Sequence, residues 1–193
     1  MTDHYFSKHP TSFERVTPLI CMLRGQRLEF STASGMFSIG KVDRGSRVLI
    51  EDSEIKGGMK VLDYGCGWGV VGIAIAKAFL KCSVEMIDVN ERALKHAKMN
   101  IRKNRVSNCS VVKAATGSYD TILFNPPQKI GKQGCFDLIT DCYSLLKKGG
   151  SLQLVARHNK GGKVLRQFME ELFGNVSDLT KSGGFRIYFS TKS

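Results

Sequence analysis

From Met59 onward the chain alternates short apolar runs with stretches of helical pattern. That alternation restricts the fold more than any other feature of the sequence. MKVLDY reads as a short strand, and GVVGIAIAKAFL as a helix apolar on nearly every face, hence buried. CSVEMIDV is a second strand. NERALKHAKMNIRKN is an amphipathic helix capped by Asn90, with Ala93, Leu94, Ala97 and Ile101 on one face. NCSVVKA and YDTILF follow as the third and fourth strands. FDLITDCYSLLKK is a helix closed by Gly149 and Gly150, with lysines in its last turn. SLQLVAR is the fifth strand, GGKVLRQFMEELFG a helix ending at Gly174, and NVSDLT and FRIYFST are the last two strands. Such an order implies parallel strands covered by helices on both faces, an α/β fold. Only four residues separate the last two strands, which predicts an antiparallel hairpin at one edge. The third and fourth strands are joined by ATGS, too short for a parallel crossover, so they are not expected to be neighbours.

The N-terminal quarter has a different character. Phe13 to Met22 and Arg27 to Ser31 read as two strands around Arg24-Gly25, with Pro18 suited to an edge. The stretch MFSIGKVDRGSRVLIED carries no decisive period. Residues 1–55 are therefore expected to form a β-rich extension packed on a main domain of residues 56–193.

DYGCGWG, residues 63–69, joins the first strand of the main domain to its first helix. Glycines at 65, 67 and 69 let the backbone turn tightly and approach a ligand. A dinucleotide fingerprint would need glycine at 70, where Val70 stands. Asp88 closes the second strand, where a carboxylate can accept both hydroxyls of a ribose. Alone, the glycines suit any tight strand-to-helix turn, and Asp88 any helix cap. Together they point to an adenosine-containing ligand without a pyrophosphate, which S-adenosylmethionine fits. The residues expected to line that site are Asp63, Gly65, Cys66, Gly67, Trp68, Gly69, Asp88, Val89 and Asn125.

The fourth strand ends in FNPPQ, residues 124–128. Two prolines after Asn125 forbid both strand and helix, which is more rigidity than a simple strand end requires. In these motifs, VLDYGCGWG, IDVN and YDTILFNPP, the chain resembles the class I S-adenosylmethionine-dependent methyltransferases. HYFSKHP, LRGQRLEF and GMFSIGKVDRGSRVLI resemble more closely the small-methyltransferase-domain family, which includes ribosomal RNA guanine-N2 methyltransferases and short archaeal relatives. The resemblance implies a Rossmann-like fold with a seven-stranded, mostly parallel sheet in the order 3-2-1-4-5-7-6. It also implies catalysis by Asn125, Pro126 and Pro127. An exocyclic amine is a poor nucleophile because its lone pair is delocalised into the ring. The Asn125 side-chain oxygen and the Pro126 carbonyl would accept its two hydrogens, turning the lone pair toward the methyl group. The prolines keep the turn rigid, so little entropy is lost on docking.

Two positions depart from the family. An aromatic residue often follows Asn-Pro-Pro and stacks on the target base, but here it is Gln128; Phe37, Tyr5, Phe6 and Phe136 are candidate substitutes. Relatives often place an aspartate after the third strand to accept the adenine amine, and KAATGSYD has no carboxylate there, leaving backbone groups or Thr116.

Charge suggests the partner. The chain carries 29 Lys and Arg against 17 Asp and Glu, a net charge of +12, and the excess grows toward the C-terminus. So strong a cation attracts polyanions, RNA or DNA being the usual partner, although many basic proteins bind neither; the resemblance implies RNA, ribosomal first and transfer second, held by the basic surface. Lys129, Lys132, Arg157, Lys160, Lys163 and Arg186 cluster in segments expected at strand ends or the C-terminal edge; those near the mouth of the site could pair with phosphates, though each alone reads as a solvated side chain, and His158 reads as a loop histidine. The six cysteines have no zinc spacing and read as reduced apolar thiols, so no metal is expected. The start MTDHYFSKHP lacks a signal-peptide core, and no apolar run nears the ~20 residues that span a bilayer. A cytoplasmic enzyme without membrane contact is expected. A protein-glutamine N-methyltransferase, or a silent RNA-binding or assembly factor on the same fold, are the competing readings.

Overall fold

The computed structural model describes residues 15–193. Its main sheet contains β3 (Lys60–Tyr64), β4 (Ser83–Ile87), β5 (Cys109–Val111), β6 (Tyr119–Phe124), β7 (Leu146–Arg157), β8 (Ser177–Ser182) and β9 (Phe185–Thr191). The strands lie in the order β5-β4-β3-β6-β7-β9-β8, which is the order 3-2-1-4-5-7-6 expected for the family. All neighbours are parallel except β9, which runs antiparallel to both β7 and β8. As the short ATGS link requires, β5 and β6 are separated, here by β4 and β3.

Helices cover both faces. Val70–Ala78 (α2) and Glu91–Lys103 (α3) follow β3 and β4; Gly131–Leu145 (α4) and Lys163–Phe173 (α5) follow β6 and β7. The central strands β3 and β6 are buried on both faces, as packing between two helix layers demands. One apolar cluster gathers Val61, Ile73, Ile75, Met86 and Leu123; a second gathers Leu62, Ile122, Phe124, Ile139 and Leu154 on the opposite face.

Two expectations need correction. The helix after Asn-Pro-Pro ends at Leu145, and Leu146 to Lys148 belong to β7. Leu146 pairs with Tyr119, and Lys147 forms an ion pair with Asp120. Sheet pairing thus overrides the helical pattern, and Gly149-Gly150 marks a shift in register rather than a helix stop. A Cβ on Gly150 would lie 2.7 Å from the Tyr119 carbonyl oxygen, so only glycine fits there. On α3, the buried residues are Ala93, His96, Ala97 and Asn100, while Leu94 and Ile101 are only half-buried.

Those polar helix residues hold the N-terminal hairpin, in which β1 (Val16–Leu23) and β2 (Gln26–Ala33) form a separate two-stranded sheet. Asn100 accepts from the Ser31 N–H (2.7 Å) and donates to the Ser31 carbonyl (3.1 Å). Asn104 does the same with Glu29, at 2.9 and 2.7 Å. One helical turn apart, the two amides bind the exposed edge of β2 as a neighbouring strand would. The undecided stretch before residue 55 contains a helix, α1 (Arg44–Asp52), capped by Asp43. Its C-terminal carbonyls receive the Arg24 guanidinium, which donates to the carbonyls of Ile50 and Ser53. Gln153 of β7 pairs with both backbone groups of Glu54, at 2.9 and 2.8 Å. Hairpin and α1 are therefore bound to the domain by side-chain amides and a guanidinium as well as by apolar contact.

Candidate active site

Sheet register aligns three strand ends. Tyr64 of β3 pairs with Ile87 of β4 and with Phe124 of β6. The next residue in each chain segment is Gly65, Asp88 or Asn125. Strand order reverses between β3 and β6, and such switch points open a crevice at the carboxyl edge of an α/β sheet. Here the crevice is a cavity of about 1740 Å³. A single small-molecule site usually occupies about 300–1,000 Å³, so there is room for two ligands side by side.

The glycine loop forms the floor at one end. Gly65, Gly67 and Gly69 have φ of 74, 55 and 88°, all in the left-handed region that side chains resist. The N–H groups of Gly65 and Cys66 both bond the Ile87 carbonyl at 2.9 Å, tying the loop to the end of β4. Asp88 accepts from the Gly67 N–H and the Asn90 N–H, each at 2.8 Å, which orients its carboxylate at the cavity wall. Exposed Val89 stands beside it. Beneath the loop, Asp63 is buried and accepts from the Gly72 N–H at 2.8 Å. Burial pushes its carboxyl up to about 7; the Gly72 bond works against this rise and nearby Asp88 adds to it. Trp68 donates to the Phe37 carbonyl at 2.9 Å and meets Phe30 edge-on, so it fastens residue 37 to the loop.

Asn125, Pro126 and Pro127 form the other end. The Asn125 amide nitrogen donates to Ser46 Oγ at 3.0 Å and to Asp43 Oδ1 at 3.3 Å. Phe185, at the start of β9, lines the same end, with the Arg157 guanidinium 5.4 Å from its ring centre. Lys129 and Arg44 stand there too, and Lys95, Lys98 and Arg102 line the side formed by α3.

Every residue expected to hold the cofactor or act in catalysis lines this cavity except Gly69, which lies behind the loop as the left-handed cap of α2; of the six candidate phosphate-binding cations, Lys129 and Arg157 line it, whereas Lys132, Lys160, Lys163 and Arg186 do not, Arg186 being ion-paired with Asp178. Among the candidate base-stacking rings, Phe37 lines the cavity, whereas Phe136 is stacked on Phe168 between α4 and α5 at 4.0 Å. Tyr5 and Phe6 lie outside the described residues. Lys113, not Thr116, lines the cavity beyond β5. His158 bonds the Tyr188 hydroxyl at 2.9 Å, away from the cavity. Asp43 and Ser46, inside the stretch GMFSIGKVDRGSRVLI but not singled out there, and Phe185 also line the cavity. Asp43 had a signal, since an aspartate three residues before Ser46 and a following apolar run is a helix start. Phe185 had none.

Among the described residues no group of His, Cys, Asp and Glu is arranged to hold a metal, and no helix is long and apolar enough to cross a membrane. All six cysteines are free, and burial raises the Cys66 thiol well above its ordinary range.

The model of the methyltransferase small domain matches residues 27–189. Over the full length of both chains, the sequence is 33% identical to the protein YbxB of Bacillus subtilis. It is 34% identical to the ribosomal RNA small subunit methyltransferase C of Hahella chejuensis, over 86% of this chain and 50% of that one. The chain thus spans about half the length of the curated methyltransferases it matches. Among solved structures, the T. thermophilus 16S rRNA N2 G1207 methyltransferase, in complex with AdoMet and guanosine, superposes with a TM-score of 0.80 at 21% identity. That match covers 96% of this chain and 52% of the other, and speaks for the fold. A methyltransferase from Pyrococcus furiosus matches at 26% identity with a TM-score of 0.63, over 72% of this chain and 78% of its own.

Proposed function

The chain belongs to the methyltransferase small-domain family, and from that premise we propose that it transfers a methyl group from S-adenosylmethionine to the N2 amine of a guanine in RNA. Ribosomal RNA is the first candidate and transfer RNA the second. One observation carries this reading: a single cavity holds a glycine loop with its acidic partner at one end and Asn125-Pro-Pro at the other.

The residues fit the cofactor. Asp88 would accept the ribose hydroxyls, and the positive-φ glycine loop allows the methionine portion to approach the backbone. Asp63 lies under the loop, where its carboxylate would favour the cofactor's ammonium. Val89 offers an apolar face to the adenine. The cofactor supplies an electrophilic methyl on a sulfonium.

At the target end, the protein's task is to hold and orient a neutral amine. Asn125 commits its NH₂ to Asp43 and Ser46, so its oxygen accepts an amine hydrogen. The Pro126 carbonyl accepts the second. Both acceptors strengthen as the nitrogen becomes cationic, which is when stabilisation accelerates the reaction. No strong base is needed, because the proton leaves after the nitrogen has gained positive charge. In place of a ring after Asn-Pro-Pro, Phe185 provides the flat apolar face for the base, with Arg157 behind it. To reach it, the guanine must be unpaired or flipped from its stack. Lys129, Arg44 and the cations of α3 take up phosphates around the cavity.

The test is to incubate the protein with methyl-labelled S-adenosylmethionine and unmodified small-subunit rRNA, digest to nucleosides, and locate the label by mass spectrometry. Label in N2-methylguanosine supports the reading, and the yield should fall steeply with salt. Label in another nucleoside overturns the guanine assignment. Label only in added protein, on glutamine, replaces RNA with the competing substrate; no label in either, on free RNA or ribosomal particles, leaves the silent binding factor.

A further inference from the structure

Three residues at the start of α1 bear on Asn125. Asp43 caps the helix by accepting from the Ser46 N–H at 3.0 Å, and the same Oδ1 accepts from Asn125 at 3.3 Å. Ser46 is buried and its hydroxyl oxygen accepts from Asn125 at 3.0 Å. Between them is Gly45. A Cβ there would lie 3.2 Å from Asp43 Oδ1, 3.2 Å from a ring carbon of Phe185 and 3.4 Å from Asn125 Oδ1. A side chain at 45 would therefore press on the amide, its anchor and the aromatic wall at once.

We infer that Asp43 and Ser46 are positioning residues that fix which way the Asn125 amide faces. This inference rests on the proposed role of Asn125 in amine methylation. An amide can rotate by half a turn and exchange its oxygen for its NH₂ with almost no change of shape. A flipped Asn125 would present donors to a substrate amine that also has only donors to offer, and would repel it. Packing cannot prevent the flip, because the two ends have nearly equal size. A carboxylate can, because it only accepts. Asp43 Oδ1 facing the amide oxygen would set two acceptors against each other, so Asp43 selects the orientation, and the Ser46 hydroxyl, which can donate or accept, holds the NH₂ once it is set. The same carboxylate draws on the amide N–H groups and shifts electron density toward the oxygen, making it a better acceptor for the amine as that nitrogen becomes positive. Because Asp43 is a helix cap and Ser46 lies in the first turn, both are held on a regular element rather than on a free loop.

The experiment measures methyl transfer to unmodified small-subunit rRNA for wild type, Ser46→Ala, Asn125→Ala and the double variant, with cofactor affinity by calorimetry. Ser46→Ala should lower kcat by about tenfold, with KM for RNA and Kd for S-adenosylmethionine within about twofold. In the Asn125→Ala background the same change should have almost no effect, since the group it orients is gone. For Asp43, the asparagine variant keeps an acceptor for both the helix cap and the amide, and should stay within a fewfold of wild type. The alanine variant should lose about tenfold or more. The inference is overturned if Ser46→Ala and Asp43→Ala leave kcat unchanged, if Ser46→Ala costs the same factor with and without Asn125, or if its loss lies in cofactor binding. Full transfer by Asn125→Ala would remove the asparagine from the reaction and both readings with it, so the two failures are distinct.

Discussion

Between Asp63 and Asn90, the end of the cavity proposed for the cofactor is assembled mainly from backbone. Gly65, Cys66, Gly67, Gly72 and Asn90 lend N–H groups to the Ile87 carbonyl and to two carboxylates, all within one β-α-β unit. The end proposed for the target is assembled from side chains distant in sequence: Asp43 and Ser46 from the start of α1, Asn125 after β6, Arg157 at the end of β7, and Phe185 at the start of β9. A site made of backbone tolerates much change in neighbouring side chains, because its donors are present in every residue. One made of side chains fails or changes specificity with a single substitution. The first end suits an invariant cofactor, and the second a target that differs among enzymes of one fold.

The sharpest attack on this division is Asn125→Ala. It should reduce kcat by about a thousandfold, in the range for loss of groups that act only in the transition state, while Kd for S-adenosylmethionine changes less than about twofold. Titration calorimetry beside single-turnover kinetics checks both; a matching loss of cofactor affinity would show the ends to be one functional unit. Asp88→Ala should act in the opposite sense. Losing a charged acceptor weakens cofactor binding by about 10–100-fold, with a smaller effect on saturated kcat.

Asp63 offers a pH test of the same end. Its folded pKa lies near 7, above the ordinary carboxylate value, because the carboxyl is buried. The stability this group contributes to the free protein is fully present below its unfolded pKa and is lost as pH rises through about 7. A cationic ligand reverses the preference by favouring the carboxylate. Binding of S-adenosylmethionine should therefore tighten by about tenfold from pH 6 to pH 8, releasing a proton at the lower pH. Asp63→Asn should abolish this slope. A wild-type Kd that stays flat with pH would mean that the ammonium does not use Asp63. The smallest effect belongs to the aromatic wall. Phe185→Leu keeps bulk but removes the stacking face, and should raise KM for RNA several-fold with cofactor affinity intact. If kcat falls instead, Phe185 serves Asn125 rather than the base.

The division also explains what could be read from the chain. The cofactor end was legible because its parts follow one another: strand, glycine loop, buried helix, strand, acidic residue. Asn125-Pro-Pro was legible as a rigid strand end. Asp43 and Ser46 were not, because nothing local in a helix start says which distant side chain it will meet. Phe185 opens an ordinary strand and reaches the cavity only where β9 runs back beside β7. The fate of Leu146 to Lys148 was misread for a related reason: a lysine-rich helix end and a strand share the same composition until Tyr119 and Asp120 lie alongside. Asn100 and Asn104 look like surface polar residues on a helix, and become buried because a hairpin edge needs partners.

By itself, the sequence determined the alternation of strand and helix, the parallel sheet with its antiparallel edge, and the loop and proline turn at the carboxyl ends of the strands. These follow from periodicity, chain stiffness and short connections, which are local properties. Tertiary structure alone decided where α1 docks, how the hairpin is bound, and which side chains surround Asn125. Those depend on pairings distant in the chain: across 79 and 82 residues around Asn125, 69 and 75 for the hairpin, and 99 between Glu54 and Gln153. An amide, a hydroxyl and a carboxylate carry no record of their partners until the fold brings them within hydrogen-bonding distance.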